Sequence, residues 1–255
     1  MADGSYTGTD NLIVMSMARN YNEFLMQEVL RNTGEATVVM DFGAGTGTFA
    51  RKLRERGLKV ICIEPDVSLR RALQSQEFDC RADVEQMRES SVDYIFSLNV
   101  FEHIENDTAM FQKLCRLLRP GGRLYLYVPA FPILYTSMDR KVGHYRRYRA
   151  HRLRKQLEQA GFRVLTARYA DSLGFFVTLL YKLIGSRRGD LNQGAVSLYD
   201  RVLFPLSRLL DKFVCRLIGK NLAVSAVRPA DWPAERGFPP ITKPQTRAQD
   251  RVAVA

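Results

Sequence analysis

The chain has few of the residues that build metal clusters or disulfide frameworks. It contains four cysteines and three histidines among 255 residues. The cysteines are scattered, without a Cys-x-x-Cys pair or a histidine at metal-binding spacing, at Cys62, Cys80, Cys115 and Cys215. This pattern argues against a zinc motif and against a disulfide-stabilised fold. The first ten residues are polar and acidic, so no secretory signal is expected, and a reducing cytoplasm is the expected compartment.

Long apolar segments are also missing. A membrane span needs about 20 consecutive apolar residues, whereas "LGFFVTLLYKLI", residues 173–184, is shorter and contains a lysine. Two interpretations stay open for this segment. It is either a buried or capping helix, or a helix that lies on a membrane surface with the help of Arg187 and Arg188.

Positive charge is in excess, with a net charge of +11. The segment "RKVGHYRRYRAHRLRK", residues 140–155, contains no acidic residue. A basic excess suits nucleic acid, an anionic membrane surface or acidic small molecules. Such a run also fits a solvated helix face followed or preceded by a loop.

Strands and helices alternate through the first half of the chain. Periodicity predicts a helix over residues 10–31 and strands over residues 37–42, 59–64, 78–82, 92–98 and 123–130. Helices are predicted between them, from the glycine turn to about residue 56, then over residues 65–76 and 106–118. This alternation predicts a parallel sheet covered by helices. In such sheets the ligand binds beyond the carboxyl ends of the strands.

The second half is less regular. The sequence predicts a long connection over residues 131–148, a helix over 150–160, and strands over 162–170 and 221–228. Residues 196–218 are predicted to form a long helix that Pro205 kinks or restarts. One face of that helix is apolar and comprises Tyr199, Val202, Leu206, Leu209, Phe213 and Leu217. Residues 229–255 contain five of the ten prolines and are predicted to be a mobile tail.

Three glycines follow the first predicted strand, in "VVMDFGAGTGTF", residues 38–49. The turn lacks the lysine of a P-loop, and Thr48 takes the place of the last glycine in a G-x-G-x-x-G motif. The helix start after the turn still offers free backbone N–H groups and a positive dipole end. Glu64, at the end of the second strand, can accept both hydroxyls of a ribose. The pair fits a nicotinamide cofactor or another adenosine-containing cofactor.

Further motifs favour the second alternative. Asp83 follows the third strand, where a carboxylate can accept from an adenine amino group, while "SLNVFEHI" and "LLRPGGRLYLYVP" accompany strands four and five. The ordered set, over roughly residues 12–228, resembles the class I S-adenosylmethionine-dependent methyltransferases. In addition, "ARNYNEFL", "DRKVGHYRRY" and "GKNLAVSAVR" resemble a bacterial subgroup of these enzymes, the methyltransferases of type 11 or 12.

The resemblance implies a Rossmann-like α/β fold with seven mostly parallel strands, the last antiparallel, and a helical insertion before it. It implies an N-terminal helical cap over residues 1–32, a cofactor-binding core over 33–130, and an acceptor side over 131–228. S-adenosyl-L-methionine is the implied cofactor and S-adenosyl-L-homocysteine the product. The implied cofactor-binding residues are Tyr21, Asp41, Gly43, Ala44, Gly45, Gly47, Glu64, Pro65, Asp83, Val84 and Asn99.

His144, in the connection after the fifth strand, is the predicted general base, because imidazole titrates near neutrality. His103 is the second predicted catalytic residue. Some methyltransferases bind a divalent metal through Glu-x-x-Glu-His at this place, but Asn99 replaces the first glutamate here. Glu102 and His103 alone make two ligands, so no metal is expected. They are expected to bond within the turn or to shape the acceptor pocket.

The residues predicted to bind the acceptor are Asp139, Tyr145, Arg146, Arg147 and Tyr148. A guanidinium fork matches a carboxylate or phosphate, which favours an anionic acceptor. The alternative is that these side chains only hold the connection in place.

The expected activity is methyl transfer to an O, N or C atom of a small or lipid-like acceptor. The expected location is the cytoplasm, with peripheral contact at the inner membrane left open. Alternatives are an RNA methyltransferase, an NAD-dependent oxidoreductase, and a non-catalytic basic module that binds nucleic acid or membranes. Nucleic acid is not the expected partner, because no RNA-binding module is appended. The sequence leaves the acceptor and the oligomeric state open.

Overall fold

A computed structural model describes residues 15, 17–85, 87–184 and 193–231. Seven strands form one sheet with the order β3-β2-β1-β4-β5-β7-β6. Their bounds are β1 Val38–Phe42, β2 Lys59–Ile63, β3 Asp79–Arg81, β4 Val92–Leu98, β5 Leu118–Pro129, β6 Arg163–Ala170 and β7 Asn221–Val227. β7 lies antiparallel between β5 and β6, while the pairs from β3 to β5 are parallel. The predicted Rossmann-like fold class is confirmed.

Helices connect the strands and cover the sheet. Their bounds are α1 Arg19–Thr33, α2 Thr48–Arg54, α3 Val67–Gln74, α4 Asp107–Leu117, α5 Ser137–Lys141, α6 Ala150–Gln159, α7 Ser172–Ile184, α8 Gln193–Leu198 and α9 Phe204–Val214. Short 3₁₀ turns span Phe101–His103 and Pro132–Leu134, and a π turn spans Tyr199–Leu203. The helix predicted over residues 10–31 begins at Arg19, and residues 10–14 lie outside the described part of the chain.

The centre of the sheet is apolar on both faces. In β4, Tyr94, Ile95 and Phe96 are all fully buried, as expected for a strand in a sheet covered by helices on both sides. One apolar cluster packs α4 and α6 against one face, and a second packs α1 and α2 against the other. The central strands are therefore fixed by burial, and their carboxyl ends provide a rigid edge.

That edge contains the point at which the strand order reverses. β1 has β2 on one side and β4 on the other, so the connections that leave β1 and β4 diverge and open a crevice. Residues 43–47 follow β1 and Asn99 follows β4. The topology thus brings the glycine turn and the "NVFEHI" segment to the same crevice.

The N-terminal helix is capped by a residue from the distant insertion. The Asp200 carboxylate accepts hydrogen bonds from the backbone N–H groups of Asn20 and Tyr21, at 3.0 and 2.9 Å. The side-chain amide of Asn20 donates to the Asp200 carbonyl at 2.8 Å. A carboxylate at a helix N-terminus satisfies unpaired N–H groups and interacts favourably with the helix dipole. Asp200 therefore fixes α1 over the carboxyl edge of the sheet.

The apolar stripe predicted over residues 196–218 is exposed to solvent from Val202 to Leu217. The segment is broken into α8, the π turn and α9, and Pro205 lies in the first turn of α9. The exposed fractions are 55% for Val202, 53% for Leu206, 54% for Leu209, 80% for Phe213 and 75% for Leu217.

The opposite face of α9 is the buried one because it satisfies backbone groups. Asp211 accepts from the N–H groups of Asp171 and Ser172 at 2.8 and 2.9 Å, and Ser207 Oγ accepts from the N–H of Leu173 at 3.0 Å. These bonds cap the start of α7 and require the polar side of α9 to point inward.

The predicted mobile tail falls mostly outside the described residues. In the part of the chain that is described, no helix combines the length and hydropathy needed to cross a bilayer.

We predict that Asp200→Ala destabilises the protein by about 2 kcal/mol, because two N–H groups of α1 lose a charged acceptor. Urea unfolding followed by circular dichroism measures this change. The matched control is Arg201→Ala, at the exposed neighbouring position, where a change within about 0.5 kcal/mol is expected. Equal stabilities for the two variants would contradict the capping role.

Candidate functional site

The glycine turn after β1 is built for close approach. Gly43, Gly45 and Gly47 have φ angles of 86, 54 and 76°, a region that other residues rarely adopt. A Cβ at Gly43 would lie 2.3 Å from Val100, and a Cβ at Gly47 would lie 2.4 Å from Leu73. A Cβ at Gly45 would meet no atom within 4 Å. The outer glycines are thus required by packing, whereas the central one faces open space.

The backbone amides of this turn are less free than the sequence suggested. Gly43 and Ala44 donate to the Ile63 carbonyl at 2.9 and 3.0 Å, and Gly47 donates to Ala44. The Gly45 amide donates to Oε2 of Glu64 at 2.7 Å. These bonds fix the shape of the turn against the end of β2.

Two buried carboxylates flank the turn. Asp41 is 3% exposed, and its Oδ2 atom has no hydrogen-bond partner among the described residues. Burial raises the pKa of Asp41 to about 8, with smaller contributions from the charge of Glu64 and from Cys80. Burial also raises the pKa of Glu64, although the amides of Asp66 and Gly45 act in the opposite direction.

The other residues predicted beside the cofactor lie along the same edge. Asp83 is exposed, and its Oδ1 accepts from the Glu85 amide at 2.9 Å in a local turn. Val84 is buried, and Pro65 is exposed directly after Glu64.

Tyr21 and Asn99 meet where α1 covers the end of β4. The Asn99 side-chain amide donates to the Tyr21 hydroxyl at 3.2 Å. Asn99 has a φ angle of 55°, and its backbone N–H donates to the Tyr127 carbonyl at 2.7 Å. Burial raises the pKa of Tyr21 well above its ordinary value, so the phenol stays neutral. The two residues link the N-terminal helix to the crevice.

The connection after β5 brings His144 to the 3₁₀ turn after β4. Nδ1 of His144 lies 2.7 Å from Oδ1 of Asp139, and Nε2 lies 3.8 Å from Oε1 of Glu102. The rings of His103 and His144 pack edge to face with centroids 4.6 Å apart. The three side chains of Glu102, His103 and His144, here named the Glu-His-His cluster, place ligand-type atoms within 4.8 Å of one another.

The electrostatics of the cluster follow from its burial. Burial raises the pKa of Glu102 to about 8. Burial, followed by the nearby His144, lowers the pKa of His103 to about 4, although backbone hydrogen bonds with residues 142 and 143 oppose this. Burial alone would raise the pKa of Asp139, but hydrogen bonds from His144 and Arg147 hold it below its usual range. Asp139 is thus the ionised acid of this region.

Most side chains predicted to bind the acceptor are bonded inside the protein. Arg147 is buried and contacts Asp139 through Nε and Nη2, both at 2.9 Å. Arg146 pairs with Asp107 at 2.9 Å, and the Tyr148 hydroxyl donates to the Phe101 carbonyl or the Asp107 carboxylate, both at 3.0 Å. These contacts match the alternative in which the basic residues hold the connection in place. Tyr145 is the exposed member, at 56%.

Sequence reasoning missed polar residues that support the site from the insertion. Asp171 accepts hydrogen bonds from the Tyr199 hydroxyl and from Ser207 Oγ. Burial lowers the pKa of Lys220, with the nearby Asp171 and Asp139 opposing this. The sequence did mark Asp200 and Asp211, because they are the two acidic residues in the largely apolar segment over residues 196–218. Nothing in the pattern indicated which groups they bond.

The sequence and the fold are similar to those of known proteins. The family described as a methyltransferase domain matches residues 17–167. The chain is 34% identical over 99 residues to the biotin biosynthesis bifunctional protein BioHC of Cellvibrio japonicus. The matched region covers 36% of this chain and 20% of that protein. It is 33% identical over 111 residues to the uncharacterized methyltransferase Rv3342 of Mycobacterium tuberculosis. This matched region covers 41% of this chain and 42% of that protein. The matches thus span less than half the length of these relatives.

Solved structures share the fold at low sequence identity. A methyltransferase in complex with the Trm112 activator of Haloferax volcanii has a TM-score of 0.63 and 15% identity, covering 90% of this chain and 99% of that chain. A Haemonchus contortus phosphoethanolamine N-methyltransferase in complex with S-adenosyl-L-methionine has a TM-score of 0.54 and 19% identity, covering 80% of this chain and 52% of that chain.

We predict that Asp41→Asn stabilises the ligand-free protein increasingly as the pH rises from about 4 to about 8. In the folded protein Asp41 keeps its proton up to a pKa of about 8, whereas the unfolded chain releases it near the ordinary value of 3.8. Within this window the wild type loses stability by up to about 1.4 kcal/mol per pH unit relative to the variant. Urea unfolding at several pH values measures the difference. A constant difference across the window would contradict a protonated Asp41.

Proposed function

The chain belongs to the methyltransferase domain family, as a class I S-adenosylmethionine-dependent methyltransferase, and we propose that it methylates a small or lipid-like acceptor. The observation that carries the proposal is the arrangement at one crevice. The glycine turn with its two buried carboxylates lies beside Asn99, and the Glu-His-His cluster follows directly after Asn99. One side of the crevice is suited to an adenosyl cofactor and the other to an acceptor.

The residues at the turn fit S-adenosyl-L-methionine. The unpaired Oδ2 of buried Asp41 can accept a hydrogen bond from a cationic group of the ligand, and the positive charge of that group would favour the ionised form of Asp41. Each oxygen of Glu64 accepts one backbone hydrogen bond, at 2.7 and 2.9 Å, and a carboxylate oxygen accepts two. Glu64 can therefore accept two further hydrogen bonds, one from each ribose hydroxyl. The open space in front of Gly45 leaves room for the ligand.

When bound, the cofactor supplies a methyl carbon that is activated by the adjacent sulfonium. The work of the chain is then to align the acceptor and to exclude water. Tyr21 and Asn99 cover the crevice from the α1 side. The product is S-adenosyl-L-homocysteine, and one proton leaves the acceptor when its attacked atom carries one.

The Glu-His-His cluster is the proposed place of acceptor activation. Asp139 accepts from Nδ1 of His144, so Nε2 is the ring nitrogen that can take a proton. His103 packs on His144 and limits its rotation. In the absence of any bound cation, Nε2 of His144 would act as the general base for a hydroxyl or an acidic carbon.

A lipid-like acceptor is favoured by the surface that adjoins this loop. α7, the π turn, α9 and the residues directly after α9 expose a set of large apolar side chains, here named the apolar face: Phe176, Val177, Leu180, Leu183, Val202, Leu206, Leu209, Leu210, Phe213 and Leu217. A contiguous surface of this kind marks a binding site for a membrane or a partner. Phe131, in the connection after β5, packs edge to face against Phe175 of α7, with ring centroids 5.3 Å apart. The face is therefore continuous with the acceptor side.

The charges around the apolar face suit an anionic bilayer. In α7, α9 and the π turn between them, the two acids, Asp200 and Asp211, are both buried. The exposed charged residues of these elements are the cations Lys182, Arg201 and Lys212. An apolar face bordered by cations is the pattern of a helix that lies in a membrane interface. We propose peripheral membrane contact through this face.

We predict that Glu64→Ala weakens binding of S-adenosyl-L-methionine by about 10- to 100-fold, because two charged hydrogen bonds to the ribose are lost. Isothermal titration calorimetry measures the affinity, and thermal unfolding confirms that the variant is folded. Glu55→Ala, at an exposed position of the same region, is the control and should bind normally. Unchanged affinity in Glu64→Ala would remove the ribose role. Binding of a nicotinamide cofactor instead would favour the oxidoreductase alternative.

We predict that the protein co-sediments with vesicles of phosphatidylglycerol and phosphatidylcholine more strongly than with phosphatidylcholine alone. The double variant Phe213→Glu and Leu217→Glu should reduce binding at least about tenfold, because each side chain loses its apolar burial. Leu165→Glu, which changes a leucine that is 47% exposed on β6, is the control. Equal binding by the double variant, or a stable dimer without lipid, would contradict membrane contact.

A further inference from the structure

The Glu-His-His cluster has the composition of a metal site. The sequence offered two adjacent ligands, Glu102 and His103, and the fold adds His144 from the connection after β5. One ligand atom from each side chain lies within 4.8 Å of the other two. The closest measured pair is Nε2 of His144 and Oε1 of Glu102, at 3.8 Å. Three ligand-type groups from two separate segments therefore converge on one point.

Glu102 lacks the partners that a buried carboxylate requires. Its side chain is fully buried, and neither carboxylate oxygen has a hydrogen-bond partner among the described residues. Burying a carboxylate without a partner is costly unless it is protonated, paired or bound to a metal. Arg147, whose charge acts on Glu102, makes two bonds to Asp139 instead. Among the described residues, no lysine or arginine therefore bonds to the Glu102 carboxylate.

The orientation of His144 is that of a metal ligand. Its Nδ1 lies 2.7 Å from Oδ1 of Asp139, and both oxygens of this carboxylate also accept from the Arg147 guanidinium, so Nδ1 is the donor in the contact. Nε2 then carries a lone pair, and it faces the Glu102 carboxylate. Two acceptors that face each other need a proton or a cation between them. In metal sites a carboxylate on the far nitrogen commonly fixes the ligating histidine in this way.

We propose that Glu102, His103 and His144 bind a divalent transition-metal cation of the zinc type, with Asp139 orienting His144. Two imidazoles and one carboxylate suit zinc or cobalt, whereas magnesium and calcium prefer oxygen ligands throughout. Ligand atoms around one zinc ion lie about 3.3 Å apart, so the cluster would contract by about 1 Å on binding. Three protein ligands leave a coordination position for an oxygen atom of the acceptor.

The inference deepens the proposed function and rests on it for its chemical purpose. A bound cation lowers the pKa of a coordinated hydroxyl, so that an acceptor alcohol loses its proton near neutral pH. In that state Nε2 of His144 is a ligand, and the cation replaces it in activating the acceptor. Binding of the cation itself requires no methyl transfer.

The test is titration of the full-length, metal-stripped protein with Co²⁺, followed by visible absorption, and with Zn²⁺, followed by calorimetry. We expect one equivalent to bind with the d–d absorption of a site with nitrogen and oxygen ligands. Glu102→Gln, which keeps the shape of the side chain, and His144→Asn should each weaken binding at least tenfold. His151→Asn changes the remaining histidine, which is exposed on α6, and should leave binding unchanged.

Three results would overturn the inference. They are the absence of stoichiometric binding, unchanged affinity in Glu102→Gln with a normal circular dichroism spectrum, and a thiolate-to-cobalt absorption band that assigns the metal to cysteines. Binding of S-adenosyl-L-methionine is measured on the same samples. If the protein binds S-adenosyl-L-methionine but not the metal, only this inference is refuted. If it binds the metal but not S-adenosyl-L-methionine, the proposed function is refuted.

Discussion

The buried carboxylate of Asp139 is the contact on which the acceptor side depends. It accepts from the backbone and hydroxyl of Thr136, from both sides of the Arg147 guanidinium, and from His144. These bonds hold the connection after β5 together between residues 136 and 147. A fully buried charge is tolerated only when it is paired and hydrogen-bonded. Asp139 meets that condition, whereas the nearby Glu102 carboxylate has no hydrogen-bond partner among the described residues.

The cofactor side depends on a different constraint. Gly43 and Gly47 have no room for a side chain because Val100 and Leu73 pack against them. This close packing brings the turn after β1 against the segment after β4, and it buries Asp41 and Glu64 near each other. Two adjacent buried acids are unfavourable in the empty protein. A ligand with a cationic group and a pair of hydroxyls would give hydrogen-bond partners to both Asp41 and Glu64, as expected for the proposed cofactor site.

Sequence patterns were most informative where structure is local. β4 has the predicted bounds, Val92–Leu98, and α3, Val67–Gln74, lies within the helix predicted over residues 65–76, with Asp66 accepting from the amides of Ser68 and Leu69 at its start. These features depend on periodicity and on hydrogen bonds between near neighbours. In the insertion the same approach identified the apolar stripe from Val202 to Leu217 but not the direction in which it faces. The stripe is outward because Ser207 and Asp211 are needed inside to cap α7.

The sequence by itself determined the α/β class, the order of the strands along the chain and the glycine turn, because each follows from short-range periodicity and backbone conformation. Tertiary structure alone decided that Asp200 caps α1, that the arginines after β5 bond inward, and that His144 joins Glu102 and His103. These contacts join residues far apart along the chain. Their formation depends on how the whole sheet folds and on which buried charges are paired, and a local sequence pattern predicts neither.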